Sequence, residues 1–305
     1  MGASVTATES SNEVLTRVPV TDGTVLCRTR VGSSRPVLFV PGWGAEYAVF
    51  EGLSVGLSST TTLSFLESRE KQSSNLSADA SFRMRQFAAD VAAAVKALDL
   101  AGRDYVLAGT CFGAAVCMDA LARSLVRPSV TLLFDPMPRM WVPRWVLSAT
   151  PLLPVPFIAA VRPFARNLLL NGMAEVAQRD RTRRIIDGAD LRKWKRGSYA
   201  LRDWSAFAVA GRIGVPVHVY NGSSDRFHSA DNYPRVAARI PTATFLGFTV
   251  DESERERFMG RVVSEYANGA AAVIPDRLRE GATRIIESAG AAELSGVEAA
   301  EEAAV

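Results

Sequence analysis

The tightest constraint on this chain is the pentad Gly109-Thr110-Cys111-Phe112-Gly113. An apolar run with strand character, Tyr105-Val106-Leu107-Ala108, leads into it, and a small-residue, helix-prone run from Ala114 to Leu121 leads out. A strand that passes directly into a helix through Gly-x-Cys-x-Gly predicts a sharp, strained turn with the central side chain exposed at its tip. Glycine is expected at both flanks because a Cβ there would strike the neighbouring strand and helix. A thiol at such a tip is a candidate nucleophile, since thiolates react well near neutral pH and a helix N-terminus favours the ionised form. Taken alone, the five residues also fit a tight turn around a buried thiol acting as a small hydrophobe. The strand before and the helix after speak for the first reading.

Composition narrows the rest. A chain of 305 residues, 48% hydrophobic and 22% charged, suits one large α/β unit or one carrying an insertion. A net charge of +3 gives no nucleic-acid footprint. Three irregularly spaced cysteines (Cys27, Cys111, Cys117) predict neither a disulfide framework nor a zinc site, and no motif calls for a metal or cofactor. Met1–Val14 lacks the basic-then-apolar order of a signal peptide, and no apolar run reaches the about 20 residues of a spanning helix. The expectation is a soluble, cytoplasmic protein. Met1-Gly2-Ala3-Ser4-Val5-Thr6 fits the N-myristoylation pattern, which is short enough to arise by chance. Histidine is scarce: His218 and His228 are the two in the sequence.

Along the chain, residues 1–12 are Ser/Thr-rich and read as disordered. Val14–Val20 and Thr24–Val31 flank Asp22-Gly23 as a hairpin. Pro36–Val40 reads as a buried strand ending at Pro41-Gly42-Trp43-Gly44, with a helix from Glu46. Thr60–Leu66 reads as a strand leading into a polar loop, Glu67–Ser74. The spacing of Phe82, Phe87, Val91, Ala94, Val95 and Leu98 predicts a helix over 81–98. Further strands are predicted at Val130–Phe134, ending at Asp135, at Val215–Tyr220 and at Thr244–Leu246, with helices near 229–240 and 252–267. Strands alternating with helices predict an α/β fold with a mostly parallel sheet flanked by helices, and ligands then bind at the carboxyl ends of the strands. Trp43, Cys111, Asp135 and Asp225 each follow a predicted strand.

Residues 137–204 break the alternation. Trp141, Trp145, Pro151, Pro154, Phe157 and Phe164 make the first half apolar, and Arg179, Arg181, Arg183, Arg184, Arg192, Lys193, Lys195 and Arg196 make the second half basic. The stretch reads as an inserted helical lid over the strand ends, suited to apolar substrates, or as a subdomain packing its own core. The basic half reads as a solvated face, or as a dock for an acidic partner such as an acyl carrier protein or for an anionic membrane surface. The expected organisation is a core over 13–136 and 205–268, a lid over 137–204, and a C-terminal helix (276–287) with a flexible Ala/Glu-rich tail over 269–305.

Three motifs together resemble the α/β-hydrolase superfamily over 13–267. Pro41-Gly42-Trp43-Gly44 is similar to its oxyanion loop, Gly109–Gly113 to its nucleophile elbow, and Gly222-Ser223-Ser224-Asp225 to its acid-bearing strand end. The resemblance implies that Cys111 attacks an acyl carbonyl, that the N–H groups of Trp43 and Phe112 hold the oxyanion beside Gly42, and that Asp225 orients a base. The segment from Cys111 to Asp135 also resembles thioesterase and Dieckmann-cyclase-like members, which makes Asp135 a competing acid. The family's general base, a His after the last strand, has no counterpart: Gly247-Phe248 stands there. His228, three residues past Asp225, is the candidate replacement, and His218, inside a strand, is expected to be packed. The resemblance thus implies an esterase- or thioesterase-like acyl-transfer enzyme acting on an apolar acyl substrate, free or carrier-bound. The alternatives are a non-hydrolytic protein binding a ligand or partner, or a cyclase or lyase.

Overall fold

The computed structural model describes residues 4–7 (backbone only), 12–140, 142–221, 232–270 and 272–287. Among the described residues, eleven strands form one sheet: β1 Ser4–Ala7, β2 Glu13–Val20, β3 Gly23–Arg30, β4 Val37–Val40, β5 Leu63–Glu67, β6 Asn75–Leu76, β7 Val106–Thr110, β8 Val130–Phe134, β9 Val217–Asn221, β10 Ala243–Gly247 and β11 Arg284–Glu287. Their order is β1-β2-β3-β5-β4-β7-β8-β9-β10-β11, with β6 paired to β3. The six strands from β5 to β10 in this order run parallel. Antiparallel strands flank them on both sides. Parallel strands covered on both faces should be apolar along their whole length, and every residue of β4, β7 and β8 is buried. In β4, Leu38 and Val40 face one core while Val37 and Phe39 face the other.

Helices cover both faces. Helices α2 (Met84–Ala97), α3 (Phe112–Ala122), α8 (Phe207–Ala210) and α9 (Asn232–Ala238) pack on one side. Helices α1 (Glu51–Gly56), α10 (Arg255–Asn268) and α11 (Asp276–Gly281) pack on the other. Helix α3 is buried on all sides from Phe112 to Leu121, which is why its sequence shows no amphipathic stripe. Helices α4 (Arg144–Ala149), α5 (Val155–Asn171), α6 (Val176–Asp187) and α7 (Leu191–Leu201) lie between β8 and α8. The two ends of this insertion are pinched together by a bridge between Arg139 and Ser205 and by the Ala206 N–H donating to Pro138 O at 2.7 Å.

Two expectations for the termini are corrected. Ser4–Ala7, expected to be disordered, adds as a strand to the edge of β2; the alternation of Ser4-Val5-Thr6 has β-branched residues suited to it. The expected helix over 276–287 stops at Gly281. Arg284-Ile285-Ile286-Glu287 then pairs antiparallel with β10, its two isoleucines flanked by charges that suit an edge strand. The Ala/Glu-rich tail beyond Glu287, and Trp141 of the insertion, lie outside the described residues.

Candidate active site

Cys111 closes β7 and caps α3 with φ 51° and ψ −114°. Left-handed φ at a residue with a Cβ costs about 1–3 kcal/mol and persists where its surroundings over-determine it. Here they do. The Cys111 N–H donates to Phe134 O at 2.9 Å, and its carbonyl accepts from Met137 N (3.1 Å) and Ala115 N (3.2 Å). The flanking glycines answer to sterics. A Cβ on Gly113 would lie 2.0 Å from Val40 O and 2.5 Å from Pro41 O, and one on Gly109 would lie 2.8 Å from Ala114 N and Gly113 O. The turn therefore presses β4, β7 and α3 closer than any other residue permits. Cys111 is half-buried, whereas Cys27 and Cys117 are fully enclosed. Burial pushes the Cys27 thiol up to about 12 and the Cys117 thiol higher still, so neither ionises readily.

The loop after β4 runs alongside. The Cβ position of Gly42 is 3.6 Å from Cys111 Cβ. The Phe112 N–H is the first in α3, a position with no intrahelical acceptor. The Trp43 ring is wedged edge-on against Phe112 (5.0 Å, 84°) and beside Trp194 of α7 (5.8 Å). Its far edge lies over Gly197 of α7, where a Cβ would come within 2.3 Å of it. Gly42, Trp43, Cys111 and Phe112 are thus brought together.

Beneath this loop lies a feature the sequence reading missed. Glu67–Ser74, read as a polar loop, is buried from Glu67 to Lys71. Lys71 Nζ, with its side chain fully enclosed, donates to Glu70 Oε1 (2.5 Å), Ser68 Oγ (2.7 Å) and the Gly42 carbonyl (3.1 Å). Glu70 Oε1 also accepts from the Gly44 N–H at 3.1 Å. One buried ion pair therefore holds the Gly42–Gly44 loop by a carbonyl and an amide. From α7, Lys193 Nζ reaches Lys71 O (2.6 Å) and Ser74 O (2.8 Å), tying the insertion to the same loop.

Asp135 follows β8 with φ 45° and is buried. Its Oδ1 accepts from Asn221 Nδ2 at 2.9 Å, and its Oδ2 accepts from Arg255 Nε (2.9 Å) and Nη2 (2.7 Å). Arg255 Nη2 also approaches Thr110 Oγ1, next to Cys111, at 3.4 Å. The partner of this carboxylate is a guanidinium from α10, which holds charge and cannot take a proton. The signal for Arg255 was in the sequence: Arg255, Phe258, Met259, Val262, Val263 and Tyr266 share one buried helical face.

Asp225 and His228 lie outside the described residues. His218, on β9, is packed as expected. Its Nδ1 is 2.6 Å from Tyr266 Oη, which in turn meets Tyr220 Oη at 2.7 Å. Burial pulls the His218 pKa down to about 4, helped by nearby Arg279. Phe248, after β10, lies against Tyr220 and Phe258 with its N–H donating to Asn221 O. Among the described residues, no three His, Cys, Asp or Glu are grouped to hold a metal ion.

The strand order and the position of this turn define the α/β-hydrolase fold. No protein-family model and no curated protein matches the chain. Solved structures do. A thermophilic esterase from Thermogutta terrifontis superposes with TM-score 0.67 at 18% identity, over 90% of this chain and 100% of that one. An esterase from Exiguobacterium antarcticum gives 0.68 at 17%, over 81% and 97%. The enol-lactonase from Burkholderia xenovorans LB400 gives 0.62 at 16%, over 79% and 96%. The chain shares their fold.

Proposed function

We propose that this chain is an acyl-transfer enzyme of esterase or thioesterase type with Cys111 as its nucleophile. The observation that carries this reading is the strained, half-buried Cys111 at the tip of the β7–α3 turn. A left-handed backbone enforced by two sterically required glycines serves to present a side chain, and packing alone does not need it. The thiolate sulfur attacks an ester or thioester carbonyl and forms a C–S bond. The electron pair moves onto the carbonyl oxygen, between the Trp43 and Phe112 N–H groups. Collapse breaks the C–O or C–S bond to the leaving group, which departs as alcohol or thiol with the proton that Cys111 gave to the base; water or a second nucleophile, deprotonated by the same base, then takes the acyl group and frees Cys111. Asp225 and His228 are assigned to the acid and base, with Asp135 as the competing acid. The aromatic surroundings of Trp43 and Trp194 suit an apolar acyl chain, free or carrier-bound. The esterases and the enol-lactonase that share the fold support the reaction class. The helices over 137–204 act as a lid on the α/β core, and action in the cytoplasm is part of the same reading.

A second reading has its own support. Asp135 is committed to Arg255 and Phe248 stands after β10, which suits a fold kept for binding, cyclisation or lyase chemistry without hydrolysis. Acid-quenched incubation with a series of acyl-CoA thioesters and p-nitrophenyl esters separates the two. The first reading expects an acyl mass on Cys111 and loss of turnover in Cys111→Ala. Turnover that survives Cys111→Ala overturns the nucleophile assignment. Absence of both adduct and turnover across the series overturns the enzyme reading.

A further inference from the structure

Helix α5 is apolar on both sides. Inward it turns Ile158, Leu169 and Leu170 together with Arg162 and Arg166, the last paired with Asp187 of α6 at 2.7 Å. Its outward positions are Phe157, Val161, Phe164 and Leu168, spaced i, i+4, i+7 and i+11, which makes one narrow stripe. Phe164 is 74% exposed. Two further apolar side chains before α5 are exposed, Leu152 at 83% and Trp145 at 75%. A helix in water normally turns such residues inward. Patches of this kind mark surfaces that meet another phase or partner.

The charge around the stripe indicates what it meets. The insertion over 137–204 holds thirteen Lys and Arg against five Asp and Glu, a surplus of eight in a chain whose net charge is +3. Beside the stripe lies an open cleft of about 910 Å³ that includes Pro151 in its wall. Arg83, Arg85, Arg123, Lys195, Arg196 and Arg202 line it, against the carboxylates of Asp79 and Asp203. Lys195 joins the two features directly, donating to Leu153 O at 2.6 Å. An apolar surface of Phe, Leu and Trp next to a cationic cleft matches the boundary of an anionic bilayer, where acyl chains lie beneath phosphates. Among the described residues no helix is long and apolar enough to cross a membrane, so the contact is one of lying on the surface.

We infer that the α4–α5 face is a docking surface for anionic phospholipid bilayers, with α5 seated at the headgroup boundary and the cleft facing lipid phosphates. The inference is independent of the chemistry at Cys111. Flotation of the full chain with phosphatidylcholine vesicles, and with vesicles that also contain phosphatidylglycerol, tests it. Binding is expected to the anionic vesicles and to fall on the order of tenfold in Phe164→Glu and in Phe157→Glu. It is also expected to fall in Arg83→Glu/Arg85→Glu and at about 1 M salt, where charges are screened within about 3 Å. Because these side chains point to solvent, the thermal midpoint should stay unchanged in all three variants. Equal binding to neutral vesicles, no binding to either, or binding indifferent to the variants overturns the inference. So does a dimer in sedimentation that Phe164→Glu dissociates, or a drop in midpoint showing that Phe164 is packed.

Discussion

At Cys111 the backbone conformation and the side chain make opposite demands on stability. Left-handed φ suits glycine, so Cys111→Gly should stabilise the fold by about 1 kcal/mol while removing any acyl adduct. Urea denaturation read beside the thioester assay checks both halves. A destabilised Cys111→Gly would mean that the side chain packs more than it is strained. Gly113 gives the converse case. A Cβ 2.0 Å from Val40 O cannot be absorbed by a rotamer change, because the obstacle is backbone. Gly113→Ala should therefore lose about 3 kcal/mol, or fail to fold, by the same measurement. The pentad was legible in the sequence because each of its residues answers to a local demand of the strand–turn–helix passage. Asp135 was legible as a residue at a strand end. Its partner was hidden, because Arg255 sits in the charged run Asp251-Glu252-Ser253-Glu254-Arg255-Glu256-Arg257, where all but the helical spacing suggests solvent.

Among the elements, the Gly42–Gly44 loop depends on the segment after β5. Lys71→Met removes the cation and leaves Glu70 buried without its counter-charge, a change expected to cost about 3–5 kcal/mol. Lys71→Met/Glu70→Gln removes both charges and should recover part of that loss, and a double-mutant cycle on denaturation midpoints measures the coupling. If the loop is positioned by this pair, the double variant should still bind ester substrate but turn it over more slowly, because a donor displaced from the oxyanion loses more in the transition state than in the ground state. The parallel strands β4, β7, β8 and β9 were readable as short apolar runs between turn signals. The Glu67–Ser74 segment was not readable as buried, since it is covered by α7, about 120 residues further along, and local polarity carries no trace of that cover. β11 was missed for a similar reason: four residues with charges at both ends become a strand only because β10 offers an open edge.

For the molecule as a whole, the two cores on either side of the sheet set the pH response. His218 is neutral when folded, with its pKa near 4, against 6.5 for an exposed imidazole. The unfolded chain therefore binds more protons than the folded one between these values. The His218 contribution is complete above about pH 6.5 and is lost as pH falls toward 4, on the order of 3 kcal/mol in all. Asp90, whose carboxyl burial raises to about 6, contributes with the opposite sign over the same window, so the His218 part is read by difference: in equilibrium unfolding across it, His218→Gln should lose less stability than the parent chain as pH falls. A decline of equal slope in the variant would place its source in other groups. The same two-sided architecture leaves the rim above the carboxyl ends of the strands to loops and to the inserted helices, which is where the fold can be given its chemistry and its surfaces.

On the proposed reading the β7–α3 turn exists to present a reactive thiol. The pH dependence of Cys111 alkylation by iodoacetamide, followed by peptide mass spectrometry with Cys27 and Cys117 as internal references, tests it most directly. Cys111 alone is expected to be labelled in the folded protein, with a rate that levels off well below the free-thiol value of about 8.5. In His228→Ala the plateau should move upward if that imidazole holds the thiolate. An ordinary titration near the free-thiol value, or no labelling of Cys111, would rule out an activated thiolate and leave the strained turn without a catalytic purpose.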